Sequence, residues 1–327
     1  MLKAFIEKML RGDKAALSRL ITLVERDSPE TPQVMEAIYS SMGKAHHIGI
    51  TGPPGSGKST LVDQLTALIR GEGDSDGKEV GIIAVDPTSP FSGGALLGDR
   101  IRMQRHYNDE GVFIRSMATR GSHGGLSKTT RKVAKLLDAF GKEVVFIETV
   151  GVGQAELDVM EAADTVVVVL VPETGDAVQT MKAGLMEIAD ILVVNKSDRQ
   201  GASALVKELE AMLSLNREQS WWQVPVLSTQ AHKNVGIEDL YGEIQKHKEA
   251  LEVSGRLAEK RQERRKKEFI QAVEQSIGAK LTELIGRDEA LTTFIDRVAA
   301  GDIDPYSAAS EVLRDKDLLR RWFSTLG

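Results

Sequence analysis

The stretch Gly52-Pro53-Pro54-Gly55-Ser56-Gly57-Lys58-Ser59-Thr60 holds the densest chemical pattern in the chain. It fits the phosphate-loop spacing G-x-x-x-x-G-K-[ST]. Its glycines let backbone N–H groups curl around a phosphate, and a helix starting there adds the partial positive charge of its N-terminus. Lys58 would reach the β- and γ-phosphates of a nucleotide, and Ser59 would give its hydroxyl to Mg²⁺. The local context agrees with this chemistry. His46–Thr51 reads as a short buried strand, and Leu61, Val62, Leu65, Leu68 and Ile69 mark one face of a following helix.

Three further stretches could complete such a site. Asn195-Lys196-Ser197-Asp198 follows the apolar run Ile191–Val194. Asp198 can accept from both guanine N1–H and N2–H₂, a donor pattern that adenine lacks. Asn195 would hold the loop and face the N7/O6 edge, and the stem of Lys196 would cover the ring. Ser228-Thr229-Gln230, after the next apolar run, stands where a loop would close over the base. Val144-Val145-Phe146-Ile147-Glu148 is an apolar run ending on a carboxylate, and Gly151 comes three residues later. Glu148 would reach Mg²⁺ through water, and the N–H of Gly151 would meet the γ-phosphate. Val152 fills the position where small GTPases carry the glutamine that orients attacking water, and Gln154 comes two residues on, so slow unaided hydrolysis is expected. Asp86, at the end of Ile82–Val85, and Asp99, in a glycine-flanked stretch, are further candidate carboxylates for the Mg²⁺ shell.

The elements that must position these groups follow from periodicity. Apolar, Val/Ile-rich runs at 46–51, 80–85, 111–117, 143–148, 165–171, 190–195 and 224–228 predict strands buried on both faces. Helical stretches near 58–70, 126–140, 155–163, 178–188, 203–215 and 236–250 alternate with them, which predicts an α/β fold with a mainly parallel sheet. Its ligand belongs at the carboxyl ends of the strands. Three regions are expected: an N-terminal helical arm over 1–44, the nucleotide-binding core over 45–250 and a helical arm over 251–327. In the first, Leu2, Phe5, Ile6, Met9 and Leu10 share a helical face, and Asp13 caps the helix carrying Leu17, Leu20, Ile21 and Val24. In the last, Arg256–Lys267 carries seven basic residues with Glu259 and Glu263, a solvated helix face. Phe269, Ile270, Val273, Ile277, Leu281, Leu284 and Ile285 follow as an apolar stripe. With no obvious core of its own, this tail is expected to bury the stripe by dimerising. Shorter helices are predicted around 288–299 and 306–323.

Composition removes several alternatives. The formal net charge of −6 gives no support for general nucleic-acid binding. The absence of cysteine excludes disulfides, thiolate metal sites and a cysteine nucleophile. No apolar run approaches the ~18 residues of a membrane span, and the N-terminal stretch does not read as a signal peptide, so a soluble, cytoplasmic protein is expected.

Taken together, these blocks resemble the MeaB/ArgK/MMAA family of P-loop GTPases. The matching stretches are Gly49–Thr60, Asp86-Pro87-Thr88-Ser89, Gly98–Met103, Ile114–Gly121, Asn195–Asp198 and, most discriminating, Glu148-Thr149-Val150-Gly151-Val152-Gly153-Gln154. Leu20–Glu25 looks like the family's N-terminal helical arm. The resemblance implies a GTP- and GDP-binding chaperone for an adenosylcobalamin-dependent acyl-CoA mutase, typically methylmalonyl-CoA mutase, working as a homodimer. It implies that GTP hydrolysis is coupled to loading intact cofactor and removing damaged cofactor. The family's Mg²⁺ shell maps onto Ser59, Asp86, Asp99 and Glu148, and a third switch maps onto Pro172–Lys182. Within these stretches Asp99, Gln154 and Lys182 are candidates to assist hydrolysis, with Lys182 best able to neutralise developing charge. Two rivals remain, one from the same wider group and one from a different class. A nickel-delivery GTPase would need histidine or cysteine clusters, which this chain lacks. An ATPase or kinase of a lysine/arginine/ornithine transport system would have to accommodate Asp198.

Overall fold

A computed structural model describes residues 1–71, 77–86, 103–118, 125–149, 161–172, 187–214, 221–285 and 287–324. Its centre is a sheet of seven strands among the described residues: β1 (His46–Thr51), β2 (Val80–Asp86), β3 (Val112–Ala118), β4 (Val144–Glu148), β5 (Thr165–Leu170), β6 (Ile191–Val194) and β7 (Val226–Ser228). Their order is β3-β2-β4-β1-β5-β6-β7, and every pairing is parallel. All seven predicted strands form, with ends moved by one or two residues. The predicted helices at 155–163 and 178–188 lie largely outside the described residues.

Strict alternation of side chains divides the interior between the two faces of this sheet. Val145, Ile147, Val166, Val168, Leu192 and Val194 enter one hydrophobic cluster. Val144, Phe146, Val167, Val169, Ile191 and Val193 enter the other. The first cluster is closed by α1 (Leu2–Leu10), α2 (Lys14–Glu25), α3 (Thr31–Ile38), α5 (Gly125–Ala139) and α6 (Ala202–Ser214). The second is closed by α4 (Lys58–Arg70) and α7 (Ile237–Val253). Apolar strands buried on both faces are the sequence signature of this sandwich.

The N-terminal helices are joined to this core by specific polar contacts. Asp13 caps α2, accepting from the Ala16 N–H at 2.9 Å. Arg115 of β3 donates from Nε to Glu25 Oε1 of α2 at 2.9 Å. The Asp138 carboxylate on α5 accepts from the N–H groups of Gly43, Lys44 and Ala45 at 2.6, 3.2 and 3.0 Å, fixing the chain just before β1. Met1–Leu257 accordingly forms one compact unit.

A second unit spans Ala258–Gly327. It holds most of the long α8 (Arg256–Leu284), then α9 (Glu289–Ala300), α10 (Pro305–Arg314) and α11 (Lys316–Ser324). The helix expected over 306–323 is broken at Asp315. That carboxylate accepts from the N–H groups of Asp317 and Leu318 at 3.0 and 2.9 Å and starts a new helix. The tail also has a small interior of its own, contrary to expectation. Ala308, Leu318 and Trp322 are buried, and the Trp322 indole N–H donates to Asp288 Oδ2 at 3.2 Å. No residue of α8 is buried.

Candidate functional site

The carboxyl ends of β4, β1, β5, β6 and β7 converge where the strand order reverses around β1, the place where open α/β sheets bind ligands. Gly52–Gly57 turns there from β1 into α4. Gly52, Gly55 and Gly57 have φ of 137°, 74° and 93°, a region other residues avoid. Space is as restrictive as torsion. A Cβ on Gly52 would sit 2.0 Å from the Val169 carbonyl oxygen, and one on Gly57 would sit 2.3 Å from Asn195 Nδ2.

Lys58 is buried, and its ammonium donates to the carbonyls of Gly52 and Pro53 at 2.8 and 3.0 Å. Ser59 Oγ donates to Glu148 Oε1 at 2.5 Å, which brings together two groups 89 residues apart in sequence. Both are buried. Beside them Thr149 Oγ1 donates to Thr51 Oγ1 at 2.9 Å, tying the strand end of β4 to that of β1. Ser56 is fully buried, and its Oγ has no hydrogen-bond partner among the described residues. A hydroxyl left in this state inside a glycine cradle, next to a buried ammonium, suits an incoming phosphate. The hydroxyl of Ser59 and the carboxylate of Glu148 form the hard oxygen pair that Mg²⁺ prefers.

The second half of the site is built around Asn195. Its side chain is buried and spans three stretches of chain. Nδ2 donates to the Ser56 carbonyl at 2.8 Å, and Oδ1 accepts from Thr229 Oγ1 and the Ala231 N–H, both at 3.1 Å. The side chain therefore braces the phosphate loop against the loop after β7. Lys196 takes a left-handed φ of 55°, which turns the chain so that the Ser197 N–H donates to the Thr229 carbonyl at 3.0 Å. Asp198, more than a third exposed, stands at the rim of this turn. Thr229 is buried, whereas Ser228 is exposed and Gln230 half-buried. Gln230 and Val235 exchange N–H···O bonds of 3.0 and 3.3 Å that close the loop after β7. Gly236 follows at φ 75°, where a Cβ would lie 2.5 Å from the Ser228 carbonyl oxygen.

The structure thus brings Gly52–Thr60, Glu148, Asn195–Asp198 and Ser228–Gln230 to one edge of the sheet. Asp86 ends β2 on the same edge. Asp99, Gly151, Gln154 and Lys182 lie outside the described residues. Sequence reasoning missed Lys233, whose ammonium lies 3.6 Å from Asp198 Oδ2. The only local signal for it is the turn pattern His232-Lys233-Asn234-Val235-Gly236, with Asn234 and Gly236 both at positive φ.

The family described as Methylmalonyl Co-A mutase-associated GTPase MeaB matches residues 17–284 of this chain. The chain belongs to that family. A Pyrococcus abyssi relative is 53% identical over 319 residues, covering 96% of this chain and 97% of its own length. GTPase ArgK of Escherichia coli is 37% identical over 266 residues, 79% of each chain. The crystal structure of an LAO/AO transport system kinase is similar with a TM-score of 0.69 at 28% identity, covering 95% of this MeaB-family chain and 96% of that one. Among the described residues of this MeaB-family chain, no helix is long and apolar enough to cross a membrane. No group of three or more histidine, cysteine or acidic side chains among the described residues could hold a metal ion by itself.

Proposed function

We propose that this chain binds and hydrolyses GTP and gates the loading and repair of adenosylcobalamin in an acyl-CoA mutase, methylmalonyl-CoA mutase or a close relative. The observation that carries this reading is the convergence of Lys58, Ser59, Glu148 and Asp198 on one edge of the sheet of a MeaB-family chain. The family's description, mutase-associated GTPase, supports the partner. A homodimer in the cytoplasm completes the proposal, with the exposed stripe of α8 as its contact.

The chain's own groups divide the work. Lys58 exchanges its two carbonyl acceptors for phosphate oxygens, so its charge is already placed before the nucleotide arrives. Ser56 Oγ and the N–H groups of the loop hold the phosphates. Ser59, and Glu148 through water, would hold Mg²⁺, with Asp86 and Asp99 as further members of its shell; when bound, the ion would neutralise charge on the β- and γ-phosphates. Gly151 would meet the γ-phosphate, with Gln154 and Lys182 as candidates to assist hydrolysis. Asn195 keeps the phosphate and base halves in register. Asp198 reads guanine N1–H and N2–H₂, with Lys196, Ser228, Thr229 and Gln230 around the ring.

The likeness to a transport-system kinase favours a second reading, phosphotransfer from ATP in a transport system. Asp198 separates the two, because adenine offers it no matching donors. Asp198→Asn should lose the preference for GDP over ADP, at a cost on the order of 2–4 kcal/mol. Equal binding of GDP and ADP by the unmodified chain would sink the GTPase reading. Single-turnover GTP hydrolysis, with and without an adenosylcobalamin-dependent acyl-CoA mutase, tests the partner. Stimulation is expected, and its absence with every such mutase removes the chaperone role.

A further inference from the structure

The loop after β7 is built in a way that leaves its backbone few donors to offer. The N–H of Thr229 donates to the Val194 carbonyl at 2.9 Å, that of Gln230 to the Val235 carbonyl at 3.0 Å, and that of Ala231 to Asn195 Oδ1 at 3.1 Å. Further along, the N–H of Lys233 donates to the Gln230 carbonyl at 2.9 Å and that of Asn234 to the Ala231 carbonyl at 3.2 Å. Of Thr229 to Asn234, only His232 has a backbone N–H with no acceptor among the described residues.

A guanine seated on Asp198 presents O6 directly beside N1–H on the same edge, so O6 needs a donor close to that carboxylate. The Lys233 ammonium stands 3.6 Å from Asp198 Oδ2, and its side chain is 56% exposed. Its position is not left to a floppy tether. The short 3₁₀ turn Ala231–Lys233 is anchored at one end by Asn195 and at the other by the Gln230–Val235 pair. An ammonium has three donors, so it can keep Asp198 and still serve a second acceptor.

We infer that Lys233 is a specificity-determining residue of this site, donating to guanine O6 while its charge holds the Asp198 carboxylate. This rests on the reading of Asp198 as the base acceptor. The chemistry discriminates twice over. Guanine offers O6 as an acceptor, whereas adenine places an amino group there, which presents hydrogens to a cation. Asp198 and Lys233 then form a matched acceptor–donor pair for N1–H and O6. Both bonds have an ionised partner, which makes them stronger than neutral hydrogen bonds of the same geometry.

The test is isothermal titration of GDP, IDP and ADP into the full chain and into Lys233→Ala, Lys233→Arg and Asp198→Asn. Inosine keeps O6 and N1–H but lacks the 2-amino group. An exposed lysine can be truncated without loss of fold. Lys233→Ala should weaken GDP and IDP by the same factor, roughly tenfold, as expected for one partly solvated charge-assisted bond. ADP should be unchanged or tighter, and Lys233→Arg should restore most of the GDP affinity. Equal weakening of GDP and ADP would make Lys233 a general attractor of phosphate and overturn the inference. Tighter GDP in Lys233→Ala would make it a plug that competes for Asp198, and unchanged GDP would assign O6 to the His232 N–H; either result also overturns it. The underlying reading fails separately, by equal GDP and ADP affinities in the unmodified chain.

Discussion

The two compact units keep their apolar surface in opposite ways. In the first, Phe146 of β4 is fully buried, and its neighbours Val144, Val145 and Ile147 are at 2% exposure or less. In the second, Phe269 of α8 is 66% exposed, and Ile270, Val273, Ile277, Leu281 and Ile285 follow it at 36% or more. Both stretches are apolar in sequence. The strand is flanked on each side by other strands and covered by helices on both faces, so every side chain finds neighbours. The helix has an apolar stripe along one side and charges elsewhere, and among the described residues nothing buries that stripe. A packed sheet supports a site whose groups must hold position, while the uncovered stripe is the surface that the proposed dimer would cover.

The largest effect should come from the core of the first unit. Phe146→Ala should cost about 3–5 kcal/mol in equilibrium unfolding, since the close-packed neighbours cannot fill the space. A loss well under 1 kcal/mol would show the sheet to be far less tightly packed than its burial implies.

An intermediate effect is expected from acid. His46 begins β1 with its ring buried, Nε2 2.8 Å from Thr165 Oγ1, which in turn lies 2.9 Å from His247 Nδ1. His247 faces Asp190, and Asp164 lies close to His46. Burial lowers the His46 pKa from 6.5 to about 3, only partly opposed by the nearby Asp164 charge. The folded state therefore binds this proton less readily than the unfolded chain does. The contribution is intact above about pH 6.5 and is lost as pH falls toward 3, on the order of 5 kcal/mol over the whole window. Denaturant unfolding between pH 7 and 4 should show this slope for the first unit, and His46→Asn should flatten it. An unaltered slope in the variant would place the proton uptake on other groups.

The smallest effect on the monomer should come from α8. Phe269→Ala should change its unfolding free energy by no more than about 0.5 kcal/mol, because little is packed against the ring. The same substitution should weaken self-association measured by light scattering across a dilution series. A monomer destabilised as strongly as by Phe146→Ala would erase the contrast between the units. Association indifferent to Phe269 would move the contact off the stripe.

Local pattern was enough to define much of this protein. The phosphate loop was legible because glycine spacing and one lysine between a strand and a helix have few other uses. The seven strands were legible because each is an apolar run closed by polar or glycine residues. The cap at Asp13 was legible for a similarly local reason. The interruption at Asp315 was missed because a mid-helix aspartate and an N-cap look alike until the backbone leaves the helical path. The small interior around Trp322 was missed because it assembles from two short helices and the N-cap of a third, none decisive by itself.

The sequence by itself determined which residues could hold a phosphate and which runs must be buried, since both depend on neighbours a few positions away. Only the tertiary structure decided what those residues do to one another. The Asn195 amide reaches Ser56 across 139 residues of chain. The Ser59 hydroxyl meets Glu148 because β4 lies beside β1, with Ile50 and Glu148 paired in register. Lys233 faces Asp198 because β7 pairs with β6, which brings the loops beyond them together. Those meetings are set by strand order and register, which are collective results of packing the whole sheet.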